Sequence, residues 1–164
     1  MIRLLIFCLS LIITQVSTAS SGSKNADHKN LREQFFMARN ATSSCIKQLK
    51  SPENDAMVHG QILAPLSKAN EYSYLFNSEE TLSDEQVETL KSYLEVRKQC
   101  RFYYFQMPLK TLVNSYISFY AEIDNVYEAL IAKELTIGEA NKKRLELSES
   151  LQSVINEIFK SFTR

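Results

Sequence analysis

The stretch Thr81–Cys100, TLSDEQVETLKSYLEVRKQC, decides the fold. It opens with the chemistry of a helix start. Ser83 can accept from the backbone N–H three residues on, while the Gln86 side chain reaches back to the N–H of Ser83, the reciprocal pair of a capping box. Asp84 and Glu85 add negative charge where the helix dipole favours it. Val87, Leu90, Leu94, Arg97 and Cys100 then recur at steps of three and four, which is one face of a helix. The spacing predicts a helix that carries on through Tyr104 and is ended or kinked by Pro108.

The residues after Cys100 read RFYYFQMPLK. Four aromatics in succession, Phe102, Tyr103, Tyr104 and Phe105, span a whole helical turn and cannot all face one stripe. They are the candidate interaction patch: a second layer covers the outward members, or they stay exposed for a partner. Beyond them Leu109, Leu112, Tyr116, Phe119, Ile123, Val126 and Leu130 repeat the three-and-four spacing, with Pro108 suited to the first helical position. LTIGEA then repeats the start chemistry, Thr136 and Glu139 forming a second capping box. The last helix carries Leu147, Leu151, Val154 and Ile158, with Ile155, Phe159 and Phe162 clustered near the C-terminus.

Upstream, Leu31, Phe35, Ala38, Thr42, Cys45 and Leu49 mark another helical face, with Asp27 or Asn30 as its expected cap. Pro52 forces Ser51 out of helical geometry and ends it. Residues 54–70 show no clean period and read as an irregular connection with some buried apolar residues, followed by a short helix near 71–77. Only three glycines and three prolines punctuate the chain, which suits long helices better than a turn-rich β fold. The expected fold is therefore all-α: a single-domain bundle of about four main helices in residues 30–164.

Met1–Ala19 reads as an address. Arg3 precedes an apolar run from Leu4 to Ile13, and Ser17-Thr18-Ala19 fits the small-x-small cleavage rule. The run is too short to span a bilayer. Residues 20–29 read as a mobile polar leader. Removing 19 of the 164 residues leaves 145, enough for one domain. Of 19 basic and 19 acidic side chains only Arg3 is removed, so the remainder has a net charge of −1. That gives no electrostatic case for nucleic acid or an anionic membrane surface. The expected location is periplasmic or secreted, and the mature chain is not expected to be an integral membrane protein.

Cysteine usage fits that address. Cys45 and Cys100 remain as an even pair in an oxidising compartment, and a disulfide is the default reading. It would close a loop of about 55 residues, a stabilisation on the order of 4 kcal/mol in the chain-entropy view. With only His28 and His59, and no CxxC or HxxxH spacing, no metal or other cofactor is expected. Asn40-Ala41-Thr42 is formally a glycosylation sequon, but Thr42 lies on the apolar helical face.

No Gly-rich phosphate loop and no nucleophile elbow occurs. The paired carboxylates read as solvated or capping groups, so no catalytic residue is assigned. All eight tyrosines lie between Tyr72 and Tyr127. They are expected to ring the edge of the core with hydroxyls in water, the alternative being a sticky face for a polypeptide or apolar ligand.

Two resemblances follow from these motifs. CIKQL (Cys45–Leu49), APL (Ala64–Leu66), TLSDEQVETLKSYLEVRKQC and LTIGEANKKR, in that order, look like small exported two-cysteine helical proteins of proteobacteria. Cys45, Arg97, Cys100, Gly138 and Glu139 carry the likeness, which implies a periplasmic helical protein and no particular chemistry. LSDEQ (Leu82–Gln86) and LTIGE (Leu135–Glu139) also resemble the paired L-T-x-x-Q motifs of the periplasmic spheroplast-stress chaperones, with Ser for Thr in one and Glu for Gln in the other. Both departures keep a capping box intact, so capping alone accounts for the match. The functional expectation is a non-enzymatic exported binding module whose partner is an envelope protein or an unfolded polypeptide. The alternatives are a carrier of an apolar small ligand between helices and a chaperone-like envelope stress protein.

Overall fold

The computed structural model describes the backbone of residues 21–161, with side chains from residue 29, so the expected signal peptide lies outside the described residues. Four long helices dominate: α1 (Ser21–Leu49), α4 (Asp84–Cys100), α6 (Lys110–Ile131) and α7 (Ile137–Ser161). Three short ones, α2 (Pro52–Met57), α3 (Ser73–Phe76) and α5 (Phe102–Phe105), complete the set, and no strand occurs among the described residues. The all-α bundle and its Cys45–Cys100 disulfide are as the sequence implies.

The first helix starts earlier than expected. α1 already runs from Ser21, so the described part of the polar leader, residues 21–29, is helical. Asn30 is no cap: its Oδ1 accepts from Gln34 Nε2 at 2.7 Å within the helix.

The larger correction concerns residues 50–65. Ser51 does leave helical geometry (ψ 125°), but its hydroxyl accepts from the Asn54 N–H, and Pro52 stands at the first position of a new helix. The motif that stops α1 therefore starts α2. α2 widens into one π turn, Val58–Ile62, where Leu63 N–H donates to Val58 O at 2.8 Å. This continuation runs antiparallel to α4–α5. Ala38 lies beside Met107, Cys45 is bonded to Cys100, Asn54 Nδ2 donates to Ser92 Oγ at 3.2 Å, and Gln86 Nε2 donates to Gln61 Oε1 at 3.4 Å. Residues 34–61 and 86–107 thus form one long two-stranded helical wall.

α6 runs antiparallel to α4, with Arg101–Asp124 at one end and Asp84–Lys133 at the other. α7 returns antiparallel to α6, because Leu112 and Tyr116 meet Ile155 and Phe159 while Leu130 meets Ile137 and Ala140. The long helices alternate up and down, the layout expected of a bundle.

α4 ends at Cys100 and not at Pro108. Arg101 N–H donates to Lys98 O and Tyr104 N–H to Arg101 O, both three residues back, so the helix tightens there and α5 is a separate single turn. Pro108 precedes the cap of α6, Leu109, and is not its first residue.

Both capping boxes form. Ser83 N–H donates to Gln86 Oε1 at 2.9 Å and Gln86 N–H to Ser83 Oγ at 3.2 Å. Thr136 N–H donates to Glu139 Oε2 at 2.8 Å and Glu139 N–H to Thr136 Oγ1 at 3.1 Å. The backbone hydrogen bond from Thr136 is the main cause holding the Glu139 carboxyl below its usual range. α7 also docks its first turn onto the 76–80 segment: Ile137 N–H donates to Glu80 O at 2.8 Å and Gly138 N–H to Ser78 O at 3.0 Å. A Cβ on Gly138 would lie 2.5 Å from Ser78 O, so this approach requires glycine.

Two apolar clusters result. One gathers Val58, Ile62, Leu63, Leu90, Leu94, Val126, Leu130, Ile137 and Ala140 from the 58–64 segment, α4, α6 and α7. The other gathers Phe35, Ala38, Met107, Leu112, Tyr116, Ile155 and Phe159 beneath α1. Tyr120 packs against both. Leu49 and Val154, on expected apolar stripes, are instead exposed.

Candidate functional site

The aromatic turn divides. Phe102 and Phe105 are exposed at 43% and 41%, while Tyr103 and Tyr104 are half-buried. Tyr104 turns inward and stacks on Tyr116 with ring centroids 4.1 Å apart. Phe105 stands edge-on to Tyr120. Phe102 leans on Tyr103 at 4.0 Å. α1 and α6 therefore cover the inward members of the turn, and Phe102 and Phe105 remain open.

Tyr103 looks onto a groove between α1 and α5 of about 390 Å³. Its floor and walls are Met37, Ala38, Ala41, Tyr103, Met107 and Pro108, and amides of Gln34 and Gln106 stand at the edge. No charged side chain lines it. Met37 is 61% exposed, so a long unbranched side chain adaptable in shape forms one lip. A second groove of about 390 Å³ lies between α1 and α7, with Phe35, Phe36, Ile155 and Phe159 between Arg32, Arg39 and Lys160. The two faces of α1 thus differ in charge.

The tyrosines correct the sequence reading. Tyr93, Tyr116 and Tyr127 are buried in the core and do not ring its edge. Burial pushes the Tyr93 phenol up to about 12, partly offset by Arg97. Burial likewise raises Tyr104, Tyr116 and Tyr120. Their hydroxyls are held neutral inside the bundle and do not serve as surface polar tips.

Two residues that the sequence pattern did not single out organise the interior. Asn141, fully buried, uses its whole amide: Nδ2 donates to Ile62 O at 2.8 Å and Ile137 O at 2.9 Å, and Oδ1 accepts from Ala64 N–H at 2.9 Å and Arg144 Nη1 at 2.7 Å. Arg144 adds bonds to Tyr127 Oη at 3.2 Å and Ala64 O at 3.3 Å. These bonds satisfy Ile62 O and the Ala64 N–H and C=O at the extended turn, while Leu63 N–H bonds back to Val58 O. The signal was present: Asn141 and Arg144 follow Ile137 at steps of four and three, polar residues where the period asks for apolar ones.

His59 is held in the π turn. A carbonyl only accepts, so its Nδ1–H donates to Leu63 O at 3.1 Å, leaving Nε2 to face Tyr93 Oη at 3.3 Å. No described group of His, Cys, Asp and Glu is arranged to hold a metal ion. Thr42 of the sequon is buried and its hydroxyl donates to Ala38 O at 2.9 Å, while Asn40 is exposed. No described helix is long and apolar enough to cross a membrane. Comparison with protein-family models, with curated proteins and with solved structures gives no match.

Proposed function

We propose that this chain is an exported, non-enzymatic interaction module and that the α1–α5 groove receives an apolar stretch of another polypeptide. The observation that carries the reading is the uncharged lining of that groove. Methionine side chains can reshape to varied apolar residues, and the Gln34 and Gln106 amides can donate to and accept from a bound backbone. Phe102, open beside Tyr103, extends the apolar contact. Export is supported by the N-terminal address and by the disulfide, which persists in oxidising compartments.

A photo-crosslinking residue at Tyr103, installed in the native host, tests this reading. The expected result is a crosslinked polypeptide whose yield falls when Met37→Asp places a charge on the lip. Recovery of a lipid instead would favour the carrier of an apolar ligand. Suppression of aggregation across unrelated denatured proteins, insensitive to Met37→Asp, would favour the chaperone-like alternative.

A further inference from the structure

A second trough runs along the opposite side of α1, between it and α7, and the near-neutral charge of the whole chain conceals its character. Residues 29–50 hold five basic side chains and one acidic one, whereas residues 79–95 hold six acidic and one basic. The wall carries these two segments toward opposite ends, because Ala38 lies beside Met107 while Gln61 meets Gln86. The basic end opens on the α1–α7 trough. Phe35 and Phe159 meet edge to face there at 5.4 Å. A guanidinium carbon stands over each ring, Arg32 at 5.4 Å from the Phe159 centroid and Arg39 at 6.0 Å from that of Phe35. Both cations are thereby drawn over the aromatic floor.

The lining also includes Lys160, and no aspartate or glutamate. Residues 29–39 and 152–160 together hold Lys29, Arg32, Arg39 and Lys160 against Glu33 and Glu157, a net charge of +2. The two glutamates pair with Lys29 and Lys160. Arg32 and Arg39 stand two helical turns apart, about 10 Å along α1, with the exposed Phe36 one turn from each. Cation, aromatic, cation is thus the order along this wall. A trough between two helices accepts a rod and not a flat sheet of lipid. A third helix laid in it presents side chains at i, i+3, i+4 and i+7. Positions i and i+7 repeat the two-turn spacing of the arginines, and i+3 and i+4 fall opposite Phe36.

We infer that the α1–α7 trough is a docking site for an acidic amphipathic helix of another protein, its carboxylates at i and i+7 on Arg32 and Arg39 and its apolar side chains between them against Phe36. Charge selects this partner, unlike the occupant of the uncharged α1–α5 groove. The site is separate from that groove and stands or falls independently of it.

The test uses two fluorescein-labelled helical peptides of about four turns, with leucine at i+3 and i+4. They are identical except that positions i and i+7 are glutamate in one and lysine in the other. Fluorescence anisotropy against the disulfide-bonded protein is expected to give a Kd on the order of 10–100 µM for the glutamate peptide, and binding about tenfold weaker for the lysine peptide. The preference should shrink in about 0.5 M sodium chloride. Arg39→Glu, at an exposed position, should weaken the glutamate peptide about fivefold and strengthen the lysine peptide. An unfolded variant would not give that reciprocal change. Lys98→Glu makes the same change of charge on the exposed side of α4 and should leave both affinities unaltered. Three outcomes would overturn the inference: equal binding of the two peptides, affinities unchanged by Arg39→Glu, or co-sedimentation with phosphatidylglycerol vesicles while the glutamate peptide does not bind, which assigns this face to a membrane.

Discussion

The two apolar clusters are built on different principles. In the cluster around Leu90 and Leu130, seven residues are fully sealed, among them Val58, Ile62, Leu63 and Ala64. Its irregular backbone is tied across the fold by Asn141 and Arg144, and the start of α7 is seated on Ser78 and Glu80. Under α1 only Leu112 approaches that closure, and the other members keep 4–9% exposure. α1 buries few residues, shows Phe36 and Met37 to solvent, and is fastened covalently through Cys45. One half is specified by polar bonds inside a dense core. The other is a helix laid over aromatics and held by a crosslink, and that is the half which carries the open groove.

The most severe test of this contrast is Asn141→Ala. It strands Ala64 N–H and Ile62 O in a sealed core and removes the Oδ1 acceptor of Arg144, so a loss of about 4 kcal/mol or more is expected in urea unfolding. A loss below about 1 kcal/mol would show that the amide is incidental. Replacing both cysteines by serine should cost up to about 4 kcal/mol, with a regional signature. Hydrogen exchange should accelerate in α1 and α5, while α7 and the 58–64 segment keep their protection. Uniform acceleration would erase the distinction between the halves.

Gly138→Ala pushes a Cβ against the Ser78 carbonyl, and about 2–3 kcal/mol of destabilisation is expected in thermal unfolding. Alkali probes both halves together. Tyr93 is raised in the folded state to about 12, so its neutral form contributes fully below pH 10 and that contribution is lost as pH rises toward 12. A rise of that size corresponds to about 2–3 kcal/mol. Tyr104, Tyr116 and Tyr120, in and bordering the α1 half, are raised in the same direction. Ionisation at 295 nm should therefore coincide with loss of far-ultraviolet circular dichroism between pH 10 and 12. Full ionisation near pH 10 with the helices intact would contradict this burial.

The smallest effect is a gain. Lys133 has φ 61° at the end of α6, where Glu134 N–H reaches Ala129 O and Lys133 N–H reaches Leu130 O. Glycine is the usual residue in that motif. Lys133→Gly should stabilise by about 0.5–1 kcal/mol, less the exposed ion pair to Asp84. A lower melting temperature would show that the ion pair outweighs the backbone preference.

The long helices α4, α6 and α7 were legible because their start signals are local: Ser83 with Gln86, and Thr136 with Glu139, act within one turn. The disulfide was legible because setting aside Cys8 with the expected signal peptide leaves Cys45 and Cys100 as an even pair. The continuation of α1 into α2 was hidden because Ser51-Pro52 carries stop and start chemistry in the same two residues. The buried turn at Leu63–Ala64 was not legible from its own residues. Its conformation depends on Asn141, which lies 77 residues from Ala64. The end of α4 at Cys100 was hidden for a similar reason, since nothing in RFYYF itself breaks a helix. The aromatic patch was half legible: four rings in one turn cannot share a face, but which two point outward depends on where α1 and α6 lie.

The crosslink also acts as a gauge of alignment. Cys45 and Cys100 face each other midway along the wall formed by residues 34–61 and 86–107, with Cα atoms 5.8 Å apart. Sliding one side by a single helical turn displaces it by about 5.4 Å and takes the pair outside the span a disulfide tolerates. A chain zipped one turn out of step therefore cannot close this bond. In an oxidising compartment the reaction that seals the wall discriminates against misaligned chains, leaving their thiols open to reduction and another attempt.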